Sequence, residues 1–173
     1  ASEIPGNNID EDCDGRDNNP DQITFSFGSS SSQSGSIQKI PVTVTNFESV
    51  LGFQFGLELS NSELGSIVGV ENLGVLDGLF WNQECLCSFL WDSPNSNPVT
   101  LDDETIIFNL LVEVNGSADD CNNLVSTSTP FPTVFFSNFE ETIPQFKNGR
   151  ICISNAVNIT GRIFTEDNHP ITN

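Results

Sequence analysis

The chain has 173 residues, enough for one full-sized domain with short attachments, and carries 24 acidic against 5 basic residues for a formal net charge of −19. So few scattered cations cannot build the basic face that nucleic-acid phosphates or an anionic membrane surface require, which excludes both as partners. No apolar run reaches the length of a spanning helix, so membrane insertion is not expected either.

The first segment, residues 1–22, is dominated by "NNIDEDCDGRDNNPD". Counting from Asp10, acidic side chains fall at the first, third and fifth positions (Asp10, Asp12, Asp14), glycine at the sixth (Gly15), asparagine at the ninth (Asn18) and aspartate at the twelfth (Asp21). This is the ligand grammar of a calcium loop, with the seventh position, Arg16, offering its backbone carbonyl. Alternate carboxylates repel one another unless a cation lies between them, and Ca²⁺ takes roughly six to eight oxygens. Asp21 is one methylene shorter than the usual closing Glu, which predicts modest affinity. Pro5 and Gly6 before the loop and Pro20 inside it argue against the flanking helices of an opening EF-hand. The alternative is a solvated acidic linker.

Residues 23–154 alternate apolar and polar residues between clusters of turn formers. "ITFSF" reads as a strand, and Ser29 to Ser36 as a mobile hairpin loop after it. In "IPVTVT" the apolar set is Ile40, Val42 and Val44; in "LGFQFGLEL" it is Leu51, Phe53, Phe55, Leu57 and Leu59. "TIIFNLLVEV" places Ile106, Phe108, Leu110, Val112 and Val114 on one face, and "GRICIS" does the same with Ile151 and Ile153. Helical spacing is confined to a short turn near "NSELGSI", limited by Gly65. Many short strands separated by Gly, Ser, Asn and Pro predict an all-β fold of two antiparallel sheets packed face to face, because each sheet has one apolar face to hide. Residues 155–173 open a further β-element.

The side chains that carry chemistry are few. Five cysteines (Cys13, Cys85, Cys87, Cys121, Cys152) with a single histidine suit disulfides of an oxidising compartment better than a zinc site. Cys85 and Cys87 are two apart on a strand and do not reach each other, so they take separate partners or one stays free; Cys121 is the favoured partner for one of them. His169 stands beside a proline in a turn, and the acid pairs Asp102–Asp103 and Glu140–Glu141 read as solvated loop residues. No nucleophile elbow, zinc-protease helix or phosphate loop occurs, which predicts no enzyme activity. Trp91 alternates with Cys87 and Phe89 and belongs to the core, whereas Trp81, beside polar residues, is the candidate exposed anchor for a sugar or a protein. Asn115 and Asn158 head glycosylation sequons.

Three stretches, "VTVTNFESVLGFQFGLELSNSELGSIVGVENLG", "SFLWDSPNSNPVTLDDETIIFNLLVEVNG" and "VFFSNFEETIPQFKNGRICI", together resemble a cohesin-like domain over about Ile23 to Ser154. The resemblance implies a flattened jelly roll without catalytic activity, of the kind that binds dockerin modules through one sheet face. The disulfides depart from that pattern. The acidic segment is similar to a short metal-binding motif of large secreted bacterial proteins, and "ITGRIFTEDNHPI" resembles the first strand and turn of a carboxypeptidase-regulatory-like β-domain. The expectation is a calcium-stabilised adhesion or scaffolding module of the bacterial cell surface, with Ca²⁺ as its cofactor and a protein partner or copies of itself as its ligand. Two alternatives stand beside it. One is a structural subunit of a surface filament growing head to tail by β-strand addition, and the other a carbohydrate-binding module.

Overall fold

The computed structural model describes residues 22–82, 87–129, 132–137 and 140–154. They form a β-sandwich jelly roll. One sheet runs in the order β12 (Gln145–Lys147), β1 (Thr24–Phe27), β3 (Ile37–Thr45), β8 (Thr105–Val114), β5 (Gly65–Asn72). The second is built around β4 (Val50–Leu59). On one edge β4 pairs β7 (Cys87–Asp92), which carries β6 (Phe80–Asn82) outside it. The opposite edge is shared in succession by β10 (Val134–Ser137) and β9 (Cys121–Thr127). Beyond β10 lies β11 (Glu140–Glu141), and beyond β9 lie β13 (Gly149–Ile153) and β2 (Ser30–Ser32).

The apolar faces close on a core rich in phenylalanine. Phe25, Phe47, Phe55, Phe89, Phe108 and Phe135 are wholly buried, together with Ile40, Val42, Val44, Leu57, Leu110 and Val112. The alternation in β3, β4 and β13 thus points inward as the sequence predicts. In β8 it slips. Val42 faces Phe108 but Thr43 faces Ile106, so Ile107 is an extra residue opposite β3. The bulge turns Ile107 into the core at 0 % exposure and leaves Ile106 at 41 %, the reverse of the regular alternation. The short turn expected near Gly65 is a 3-10 turn at Ser62–Leu64, where the Asn61 side chain accepts from Glu63 N.

Ser29 to Ser36 is not a free loop. Its middle, β2, lies parallel to β13, with Ser30 opposite Ile151 and Ser32 opposite Ile153. The chain therefore changes sheets between β1 and β2, and changes again between β12 and β13. The two crossings touch: a Cβ on Gly149 would lie 2.3 Å from the Gly28 carbonyl oxygen, a contact only glycine permits. The cysteine expectation is also corrected. Cys121 pairs with Cys152 and with neither Cys85 nor Cys87. The two stand directly opposite across antiparallel β9 and β13, 4.1 Å apart at Cα, so strand register places them together. Cys87 is a free thiol facing the core from β7, and burial pushes its pKa up to about 12. Cys13 and Cys85 lie outside the described residues.

Candidate functional site

Cross-strand partners project to the same side of a sheet, so the outward face of the second sheet is read from its register. One row runs Phe80, Leu90, Gln54, Val134 across β6, β7, β4 and β10. The next runs Asp92, Gly52, Phe136, Glu141 across β7, β4, β10 and β11. Phe80, Leu90 and Phe136 are exposed at 59, 40 and 41 %, large apolar side chains facing solvent from β6, β7 and β10. The Gln54 amide is held by donation to Pro132 O at 3.1 Å.

Two glycines keep this face low. A Cβ on Gly52 would come within 2.7 Å of Asp92 Oδ1 and 2.9 Å of Trp91 O; one on Gly56 would meet Thr127 at 2.9 Å. Beside Gly52 lies an open groove of about 520 Å³, lined by Leu51, Gly52, Asp92, Ser93, Ser96 and Phe136. The charged groups of these rows and of the β4–β9 pair are Glu58, Asp92 and Glu141, with no lysine or arginine among the described residues of β4, β6, β7, β9 and β10. An apolar centre with an acidic border is suited to surface recognition.

The outer face of the first sheet is organised differently. Lys39 donates to Glu71 Oε1 at 2.8 Å while Asn109 Nδ2 donates to Glu71 Oε2 at 2.7 Å. Those two hydrogen bonds, Lys39 first, hold the Glu71 carboxyl below its ordinary range. This polar network satisfies itself.

The anchors expected from the sequence are placed unequally. Trp91 is buried at 1 % and donates its Nε1–H to Asp77 O at 2.9 Å, as a core tryptophan should. Trp81 pairs with Phe89 and so faces inward, half-buried against the core; the exposed aromatic is its neighbour Phe80. A one-residue difference in register exchanges the two faces, and the carbohydrate alternative loses its anchor. Asp103 accepts from Asn46 N at 2.8 Å and Asp102 O accepts from the Thr105 hydroxyl at 2.6 Å, both turn roles. Glu140 and Glu141 form β11 and are no loop pair. Asn115 is exposed. The calcium ligand set Asp10, Asp12, Asp14, Arg16, Asn18 and Asp21, together with Asn158 and His169, lies outside the described residues. Among the described residues no group of three or more His, Cys, Asp or Glu side chains is placed to hold a metal ion, and no helix is long and apolar enough to cross a membrane.

Cohesin domains are among the solved structures that share this architecture. The third cohesin ScaC of Acetivibrio cellulolyticus, solved in complex with the ScaB dockerin, superposes with a TM-score of 0.65 at 16 % identity, covering 77 % of this chain and 99 % of that one. The seventh ScaB type I cohesin of Pseudobacteroides cellulosolvens gives 0.65 at 15 % identity over 82 % and 99 %. A non-cellulosomal cohesin of the hyperthermophilic archaeon Archaeoglobus fulgidus gives 0.61 at 14 % over 78 % and 92 %. The fold is cohesin-like. No family model and no curated protein sequence matches the chain. The cohesin-like likeness therefore lives in backbone topology, which survives sequence divergence because it needs only the apolar alternation and the turns.

Proposed function

We propose that this cohesin-like chain is a non-catalytic extracellular assembly module that takes a protein partner on the outer face of its second sheet. The observation that carries the reading is the set of exposed Phe80, Leu90 and Phe136 on one sheet face, with the side-chain-free Gly52 of β4 opposite Phe136. Apolar side chains of this size at the centre of a face are the usual anchors of a protein interface. The occupant is a partner presenting an apolar ridge flanked by lysine or arginine, because Glu58, Asp92 and Glu141 border the cluster. A second copy on this face would set like charges against each other in a chain of net charge −19. Dockerins, the partners in several structures of the same fold, are the first class to try.

A disulfide between strands and the low lysine content support an oxidising, extracellular setting. Asp10, Asp12, Asp14, Asn18 and Asp21, with the Arg16 carbonyl, would bind Ca²⁺ and turn a self-repelling segment into an ordered connector.

The test is calorimetric titration of the full chain with a panel of dockerins of differing surface charge, in calcium. A basic-flanked member should bind, with Phe80→Ala and Phe136→Ala each weakening it by about tenfold or more. Binding that survives both substitutions would remove this face from the reading, and a panel without any binder would remove dockerins.

A further inference from the structure

The chain holds two Asn-Gly pairs, Asn115–Gly116 and Asn148–Gly149. An asparagine rearranges most readily before glycine, because a residue without a side chain leaves its own backbone nitrogen unhindered for attack on the preceding carboxamide. The two pairs stand in opposite surroundings. Asn115, Gly116 and Ser117 are all exposed in the turn from β8 to β9, and the Asn115 carboxamide has no hydrogen-bond partner among the described residues. The attacking nitrogen, Gly116 N, donates one long bond of 3.2 Å to the exposed Ser34 hydroxyl. At Asn148 the same step is blocked. Gly149 is buried, and a Cβ on it would lie 2.3 Å from Gly28 O and 3.0 Å from Phe27 O, so its peptide cannot swing towards the Asn148 side chain unless β13 parts from the end of β1.

The fold itself demands the glycine at 116. Its φ is +140°, and a Cβ there would lie 2.9 Å from both Ile153 Cδ1 and Leu64 Cδ2. A side chain that would slow the rearrangement is thereby excluded. The turn also holds more than itself. Asn115 N–H donates to Leu64 O at 3.0 Å and Ser117 N–H to Asp120 Oδ2 at 2.8 Å. Asp119 N–H donates to Ile153 O and Ile153 N–H to Asp120 O, each at 2.8 Å, so the turn clasps the last residue of β13.

We propose that Asn115 is a self-modifying site, converting to aspartate and isoaspartate while Asn148 persists, and that the isoaspartyl form loosens the clasp on Ile153. In the first step Gly116 N bonds to Asn115 Cγ and the Cγ–Nδ2 bond breaks; Nδ2 leaves as ammonia, carrying the proton that Gly116 N gives up. Water then opens the cyclic imide. Opening at the side-chain carbonyl gives aspartate, and opening at the main-chain carbonyl gives isoaspartate, whose backbone runs through Cβ and Cγ and is one carbon longer. That carbon moves Gly116 out of the slot between Leu64 and Ile153, whereas aspartate adds only charge. The inference does not depend on which partner the outer face takes.

The experiment incubates the folded, unglycosylated full chain in heavy-oxygen water at mildly alkaline pH, digests it, and quantifies labelled aspartate and isoaspartate at positions 115 and 148. The same chain unfolded in denaturant with its disulfide reduced supplies the intrinsic rate of each site. Relative to those rates, folding should slow Asn148 more than Asn115 by about tenfold or more, an opening cost of about 1.4 kcal/mol. Equal slowing at the two sites, or no isoaspartate at 115, overturns the proposal. Chromatography then separates the products for amide hydrogen exchange at Asp119 and Ile153. The isoaspartyl form should exchange there faster than the parent by about tenfold or more, while Asn115→Asp, which carries the charge without the extra carbon, should match the parent. Equal protection in the isoaspartyl and parent chains would overturn the loosened clasp, and protection lost in Asn115→Asp would refute the backbone argument by assigning the effect to charge.

Discussion

Phe25 is the place to test how the two sheets are held together. Its ring is wholly buried and meets Phe53 at 5.3 Å and Phe135 at 6.0 Å, both edge to face, and Phe55 at 4.9 Å, all from the opposite sheet. On its own side it stacks on Phe146 at 5.6 Å and meets Phe47 at 6.4 Å. Deleting such a ring removes its transfer free energy and leaves a cavity between sheets that cannot collapse independently, at a cost of about 3–5 kcal/mol for Phe25→Ala. Phe25→Leu keeps most of the volume but forfeits ring–ring geometry, worth about 0.5–1.5 kcal/mol per pair and less than additive here, so about 2 kcal/mol is expected. The exposed Phe136→Ala should cost less than about 1 kcal/mol. Urea denaturation followed by near-UV circular dichroism reads all three, provided the slope of stability against denaturant stays constant. A loss under about 2 kcal/mol for Phe25→Ala, or one no larger than that of Phe136→Ala, would refute the view that this ring keys the sandwich.

Two further outcomes follow from electrostatics. The Glu71 carboxyl is held below its ordinary pKa of 4.5 in the folded chain by Lys39 and Asn109. Its contribution is present above that unfolded value and is lost as pH falls through the lowered folded one, so Glu71→Gln should flatten the acid limb of the stability profile and leave Phe136→Ala as the unaffected control. A limb of unchanged steepness would contradict the ion pair's role. For calcium, titration of the full chain should give a heat that Asp10→Asn/Asp12→Asn abolishes, while chelation should speed proteolysis of residues 1–22 without melting the sandwich. Collapse of the sandwich on chelation, or no heat at all, would dispose of the connector.

Strand identity and the inward side of β3, β4 and β13 are written in period-two alternation, which needs no knowledge of a partner. So is the burial of Trp91, placed between Phe89 and the β7 end on one face. Register is another matter. The bulge that exchanges Ile106 for Ile107, the inward turn of Trp81, and the pairing of Cys121 with Cys152 each depend on which residue of a distant strand stands opposite, and the chain alone does not state it. The same holds for the proposed docking face. Apolar doublets such as Phe80–Trp81, Leu90–Trp91 and Phe135–Phe136 signal strands with apolar residues on both sides, but only assembly of β6, β7, β4 and β10 side by side makes the outward members one surface. Local pattern fixes which side chains seek the interior, because burial is decided residue by residue. Neighbourhood across strands is fixed by long-range pairing, because closing those loops costs entropy that only the complete sandwich returns.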